Sequence, residues 1–399
     1  MIGLAQDPWF HVLLGALALA GWTFVGYPMA VRLRARLFPR PVAGRAWSPS
    51  VSVIVCVHDA LPELTRKLPA LLEVGRDRAQ FEVIVVSDGS GDGTAAWLSR
   101  LEDPRVRSVV HEQRRGKSAC LADAVLAARH DVLVFTDARQ RLEPGSIDAL
   151  CAALVDDGYR LVGGRLAFES EDGYGASIGA YWRYEQRLRE AEALTGSCVG
   201  VSGALYAVRR PDMPLPPPGL ILDDVWVPME VARRGGRIGL EPRAIAWDRP
   251  SSDPAAEARR KRRTLAGNWQ LLRLHPGWLL PWRHRLWFRW LSHKLLRLVM
   301  APVLVAALVA NLVLAGAHPA LDALLAAQLG AWALGIAGML APRLRRLAPV
   351  RICAAFLELN AFAVLGLLDV VRGRAQPTWP AATQRTPLAP HTPSGPQGR

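Results

Sequence analysis

The chain has 399 residues, with 49 lysines and arginines against 35 acids and a formal net charge of +14. That length allows about two to three domains and a sizeable core. The basic residues cluster beside apolar spans instead of interleaving with aromatics, which argues against a nucleic-acid binder and for a membrane surface or a phosphate-bearing small molecule. Arginine replaces lysine almost throughout, so Lys67, Lys117, Lys261 and Lys294 stand out. Five cysteines, Cys56, Cys120, Cys151, Cys198 and Cys353, sit singly among apolar neighbours and show no disulfide or zinc spacing.

Residues 10–31 form the first apolar segment, long enough to cross a bilayer as a helix. It lacks a basic leading region and reads as an anchor, not a cleaved signal. Arg32, Arg34, Arg36, Arg40 and Arg45 follow it, and the positive-inside rule then puts the polar middle of the chain in the cytoplasm.

The middle alternates strands with helices. "VSVIVCV" (51–57) is a β-branched run fit for a strand buried on both faces, and Leu61, Leu64, Leu68 and Leu71 recur at helical spacing. "FEVIVVSD" ends a second strand at Asp88, and "GSGDGT" turns into a further helix. "VRSVVHE" is a short strand, Lys117 to His130 a helix, and "DVLVFTDA" the next strand. This order predicts an α/β fold with a mostly parallel sheet and ligands beyond the carboxyl ends of its strands. Asp59, Asp88 and Asp137 all stand at such ends. One acid there is ordinary turn chemistry; three around a common edge favour a site.

The glycines of "SDGSGDGT" do not make a dinucleotide loop, since that loop follows the first strand, which here ends in "VHDA". "RRGKSACLADAV" places Lys117 at a helix start, an arrangement suited to a diphosphate, although a solvated basic turn would look the same. In "LPPPGLILDDVWVPMEVARRGG" the adjacent Asp223 and Asp224 suit general-base chemistry or a helix cap. "EARRKRRTLAGNWQLL" concentrates five basic residues, either a membrane-facing surface or a pyrophosphate clamp.

Residues 281–297, "PWRHRLWFRWLSHKLLR", have the mixed aromatic and basic composition of a helix in the headgroup layer. Three more apolar segments follow at 298–317, 321–340 and 352–371. The last contains Glu358, Asn360 and Asp369 and is followed by Arg372 and Arg374, which counts against a fourth crossing and for an interfacial or bundle-packed helix. From Pro377 the composition predicts a disordered tail.

In order and spacing, "VSVIVCVHDA", "VVSDGSGDGT", "RRGKSACLADAV", "VLVFTDA", "VSGALYAVRR" and "ILDDVWVPMEVARRGGRIGLEPRAIAWD" resemble glycosyltransferase family 2, specifically the membrane-bound cellulose, hyaluronan, chitin-oligosaccharide and poly-N-acetylglucosamine synthases. The resemblance implies a GT-A nucleotide-sugar-binding domain and inverting transfer from a nucleoside-diphosphate sugar, commonly a UDP-sugar with Mg²⁺ or Mn²⁺. By position, Val57, His58, Asp59 and Asp88 would hold the base and ribose and Lys117 the diphosphate. Arg139 and Arg260 would join the donor site. Asp137 would be the metal ligand of a DxD motif, and Gly203 and Ala204 would border the acceptor. Asp224 would be the general base beside Asp223, with Arg263 near the leaving diphosphate.

The chain departs from the family at three places. Arg139 replaces the second DxD acid, and Ala122 stands where relatives often have asparagine. Arg260 and Thr264 replace the glutamine and tryptophan of QxxRW, so processivity is not implied.

The expected organisation is an anchor (1–46), a cytoplasmic GT-A domain (47–280), an interfacial helix (281–297), two or three C-terminal spans (298–372) and a tail (373–399). The implied function is sugar transfer to a growing polysaccharide or oligosaccharide at the inner membrane. Single transfer to a lipid-linked acceptor and a nucleotide-sugar-binding pseudoenzyme are the alternatives. The expected partners are the donor, a glycan or lipid-linked acceptor, membrane lipids and accessory or export subunits, without nucleic acid.

Overall fold

The computed structural model describes residues 6–42, 44–155, 158–169, 174–249 and 253–375; the tail expected to be disordered lies almost wholly outside them. The chain forms two compact units, one from the N-terminal segment to Arg40 together with the chain from Asp253 onward, the other from Pro41 to Arg249. In chain order the first unit contributes helix α1 (Pro8–Leu37) before the second begins.

The second unit is a single eight-stranded sheet with helices. Its elements are β1 (Val51–Val57), α2 (Leu61–Val74), β2 (Phe81–Asp88), α3 (Thr94–Leu98), β3 (Val106–His111), α4 (Lys117–Ala127), β4 (Val132–Thr136) and β5 (Arg141–Leu142). They continue with α5 (Ser146–Ala153), β6 (Tyr159–Phe168), α6 (Tyr174–Leu194), β7 (Leu205–Arg209), α7 (Asp223–Arg233) and β8 (Arg237–Asp248).

The strand order is β3-β2-β1-β4-β7-β6-β8-β5. The first four strands are parallel, as the alternation of strands and helices predicts, and β8 pairs parallel with β6. β7 breaks the pattern: it inserts between β4 and β6 and runs antiparallel to both. Every residue of β2 and all but Cys56 of β1 are buried, because helices cover both sheet faces and leave no room for polar alternation. Val53, Val55, Val83, Val134, Leu64, Leu68 and Leu150 form the centre of the core.

The other unit is helical: α1, then α8 (Pro254–Leu274), α9 (Trp287–Leu298), α10 (Met300–Val313), α11 (Pro319–Leu340) and α12 (Ala348–Val371). α1, α11 and α12 are each long and apolar enough to cross a membrane. α10 passes that test only together with α9, from which it bends by 64°. Doubt about crossing therefore shifts from the last apolar segment to the second. The two acids of α12 are matched within the unit: Glu358 pairs with Arg345, and Asp369 takes both Nε and Nη2 of Arg262 at 2.6 Å. Small residues let helices approach closely. A Cβ at Gly366 would stand 2.7 Å from the backbone nitrogen of Ala266 in α8, and one at Gly338 would stand 2.8 Å from Ala354 Cβ.

Candidate active site

The acids expected at strand ends stand there, but they do different work. Asp88, the last residue of β2, is fully buried, and its carboxylate accepts the backbone N–H groups of Arg115 at 2.6 Å and Gly116 at 3.0 Å. It fixes the turn that launches α4 and so places Lys117. Gly116 (φ +88°) supplies the left-handed backbone of that turn, and Gly89 (φ +60°) lies so close beneath it that a Cβ would come within 2.7 Å of the Arg114 nitrogen.

Val57 ends β1 and is buried. His58 donates from Nδ1 to the carbonyl of Asp88 at 2.7 Å, and its Nε2 lies 3.3 Å from Asp59. Asp59 holds a left-handed conformation (φ +46°), accepts the N–H of Gly91 at 2.8 Å and keeps a third of its side chain exposed. The ends of β1 and β2 are thus knitted into one polar rim. Asp92, which sequence reasoning passed over, stitches the same rim to two helices by accepting the N–H groups of Leu61 in α2 and Thr94 in α3.

A cluster of acids surrounds Lys117. Its Nζ is 2.9 Å from Asp137 Oδ1 and 3.8 Å from Asp223 Oδ2. Burial alone would favour the neutral amine, but Asp137, Asp223 and Asp224 outweigh it and hold Lys117 well above the usual lysine range, so it stays an ammonium. Asp223 is buried at the first turn of α7, and Asp224 beside it is half-buried. The Asp224 carbonyl accepts the N–H of Val201 at 3.0 Å, tying α7 to the strip 200–204. Gly203 lies where a Cβ would be 3.5 Å from Lys117 Nζ and 3.6 Å from Asp224 Cβ. Ala204 is buried, and its carbonyl accepts the Thr136 hydroxyl at 2.9 Å.

Two further groups were not singled out for the site. Lys67 in α2 is buried and donates to Thr136 Oγ1 at 3.0 Å and to the Gln140 carbonyl at 2.6 Å, bracketing Asp137 in sequence. Burial pushes its pKa down to about 7 against the opposing pull of Asp137. Asp248, at the end of β8, is buried and accepts from Arg139 Nη2 at 2.6 Å and Gln140 Nε2 at 3.0 Å. A lysine on the leucine face of α2 was a legible signal for the first. The second comes from 109 residues away and left none.

Arg260 and Arg263 belong to α8, in the helical unit, where Arg260 pairs with Glu257 at 3.0 Å and Arg263 is half-buried. They are not part of the sheet unit that carries the other candidates.

Residues 52–211 match the family model for glycosyl transferase family 2. This segment is a family 2 glycosyl transferase domain. Among curated relatives, it is 32% identical over 120 residues to polypeptide N-acetylgalactosaminyltransferase 15 of Mus musculus, covering 29% of this chain and 18% of that protein. Undecaprenyl-phosphate 4-deoxy-4-formamido-L-arabinose transferase of Enterobacter sp. (strain 638) is 32% identical over 120 residues, covering 28% of this chain and 36% of that one. Succinoglycan biosynthesis protein ExoO of Rhizobium meliloti (strain 1021) is 25% identical over 125 residues, covering 31% and 35%. The matches span only 18% to 36% of these relatives' lengths.

A solved mannosyltransferase, PcManGT from Pyrobaculum calidifontis in complex with GDP-Man and Mn²⁺, superposes with a TM-score of 0.65 at 21% identity. The superposition covers 91% of this chain and 99% of that one, and it shows the shared GT-A fold.

The expected Mg²⁺ or Mn²⁺ can be tested against the donor set. The segment 137–140 offers one carboxylate, and Lys117 occupies one of its oxygens. Position 139 carries a cation, and among the described residues no three His, Cys, Asp or Glu side chains are grouped to hold a metal. By themselves these side chains do not make up a ligand set for a divalent ion, Asp137 being the one carboxylate that the segment offers.

Proposed function

We propose that this family 2 domain transfers a hexosyl unit with inversion from a nucleoside-diphosphate sugar, UDP-linked by preference, to a growing polysaccharide or oligosaccharide at the inner membrane, with the domain in the cytoplasm. The observation that carries the reading is the ammonium of Lys117 between Asp137 and Asp223, sharing with Asp224 the open side of Gly203. Direct displacement needs a base on one face of the sugar and positive charge at the leaving diphosphate on the other.

In this reading the Asp224 carboxylate takes the proton of the acceptor hydroxyl. The hydroxyl oxygen bonds to the anomeric carbon as the bond from that carbon to the β-phosphate oxygen breaks, and the diphosphate leaves against Lys117. Asp223, buried and 3.8 Å from Lys117, holds the ammonium in place. Val57, His58 and Asp59 line the nucleoside end. Asp88 contributes through the turn it anchors, and Gly203 and Ala204 leave room for the acceptor.

Single transfer to a lipid-linked acceptor is the second reading. It is supported by Thr264, exposed where polymerising synthases carry a tryptophan, and by the likeness to the undecaprenyl-phosphate transferase.

The test is release of nucleoside diphosphate from a panel of UDP- and GDP-sugars by the detergent-purified full chain, with size-resolved products. Asp224→Asn should bind donor normally and lose about 10²- to 10⁴-fold in transfer, the range for a removed general base. Transfer by that variant within about threefold of the parent would remove Asp224 as the base. Nucleotide-sugar binding without any turnover would instead make the protein a pseudoenzyme.

A further inference from the structure

We infer that the donor diphosphate binds without a resident divalent ion, its charge being met by the fixed cations Lys117 and Arg139. The inference rests on the proposed nucleotide-sugar reading.

Charge balance is the first argument. A loop with two carboxylates and a bound divalent ion sums to zero, and so does a loop with Asp137 and Arg139. Exchanging the second acid for arginine adds two positive charges, which is what the ion would have brought. A guanidinium delivers its charge with directed N–H donors, a geometry matched to phosphate oxygens.

Geometry is the second. The ammonium of Lys117 already lies against Asp137 at 2.9 Å and near Asp223 at 3.8 Å, so a divalent ion approaching Asp137 would meet like charge on arrival. Lys117 is no loosely tethered surface lysine. Asp88 pins its turn, and only 22% of its side chain is exposed.

Mounting is the third. Arg139 is braced by Asp248, only 2% of whose side chain is exposed, and that acid is itself held by Gln140 Nε2 and the N–H of Arg249. Arg139 keeps 37% of its side chain exposed and follows Asp137 by two residues. Lys67 secures the same segment from beneath through Thr136 and the Gln140 carbonyl. A cation so mounted is placed before the ligand arrives, so binding loses little to reordering.

The experiment measures UDP and GDP binding to the full-length detergent-purified protein by calorimetry, once with EDTA and once with Mn²⁺. The parent should bind the preferred nucleotide within about threefold under both conditions, and Arg139→Ala should lose about tenfold under both, the scale of one charge-assisted hydrogen bond. Arg139→Asp, which rebuilds an acid-x-acid motif, should bind poorly in EDTA and recover with Mn²⁺. Binding by the parent only when Mn²⁺ is present would overturn the inference and leave the nucleotide-sugar reading standing. Binding of neither nucleotide under either condition would sink both. Because the parent comparison decides alone, a variant that fails to fold does not rescue the idea.

Discussion

Gly203→Ala separates the chemistry of this site from its stability. An added Cβ would lie 3.5 Å from Lys117 Nζ, 3.6 Å from Asp224 Cβ and 3.8 Å from Asp224 Oδ2. All three are ordinary van der Waals separations, and Gly203 is not among the positive-φ glycines, so the methyl is accommodated without backbone strain. The lost chain entropy of the unfolded state should even favour the variant, by about 0.4 to 1 kcal/mol. The methyl would nonetheless occupy the ground shared by the ammonium and the base, where the reacting sugar has to approach. A displacement of about 1 Å at a reacting centre costs on the order of 10²-fold in rate. The expected result is a protein that melts at or slightly above the parent temperature, keeps UDP binding within about threefold and transfers on the order of 100-fold more slowly. Gly164→Ala is the contrasting control: its Cβ would come within 2.7 Å of the Ala244 carbonyl oxygen and 2.9 Å of Leu205, so that variant should lose stability. Parent-level transfer by Gly203→Ala would refute the placement of the reacting sugar over Gly203.

Lys67 gives a pH dependence of stability. Its folded-state pKa near 7 lies below the unfolded value of about 10.4, so the unfolded state binds the extra proton between them and stability rises with pH across that window. Melting of the parent relative to Lys67→Gln should improve from pH 7 to pH 9, by at most about 1.4 kcal/mol per pH unit, and parallel curves would contradict it. Asp92→Ala should destabilise the sheet unit by about 1 to 2 kcal/mol in a denaturant melt, since it removes the acceptor for the first turns of α2 and α3. Burial pushes the Asp92 carboxyl up, but the bonds from Thr94 and Leu61 outweigh that and hold it below the usual range. Its contribution is therefore present above the unfolded carboxylate value and lost as the pH falls through the depressed one, and an acid melt identical in the variant would refute it.

The parallel half of the sheet was legible because its strands are buried on both faces, so β1, β2 and β4 read as continuous apolar runs and the acids that end them fall on one edge. The antiparallel insertion of β7 between β4 and β6 was not, since it rests on pairings between residues about 70 positions apart, such as Phe135 with Tyr206. The partner of Arg139 was hidden for the same reason. Lysine usage carried more than its weight. Of the four lysines in an arginine-rich chain, Lys67 and Lys117 are the two that bond to residues 136–140. Both make the compact, point-like contacts of an ammonium.

The helical unit shows where composition misleads. Glu358 and Asp369 weigh against a crossing when α12 is taken alone, because an unpaired carboxylate in hydrocarbon is costly. Each has an arginine partner from another part of the unit, Arg345 and Arg262, so the cost falls on a matched pair. Length works in the opposite direction. The 14 residues of α10 rise only about 21 Å at 1.5 Å per residue, short of a hydrocarbon core about 30 Å thick, although no charge interrupts them. Pairing and the bend between α9 and α10 are properties of the packed unit, and neither is written in the hydropathy of one segment. Cutting the pair with Arg262→Ala should therefore destabilise α12 far more than removing both charges with Arg262→Met and Asp369→Leu. A detergent melt in which the single variant is at least as stable as the double would show that leaving Asp369 without Arg262 costs α12 nothing, and would refute this reasoning.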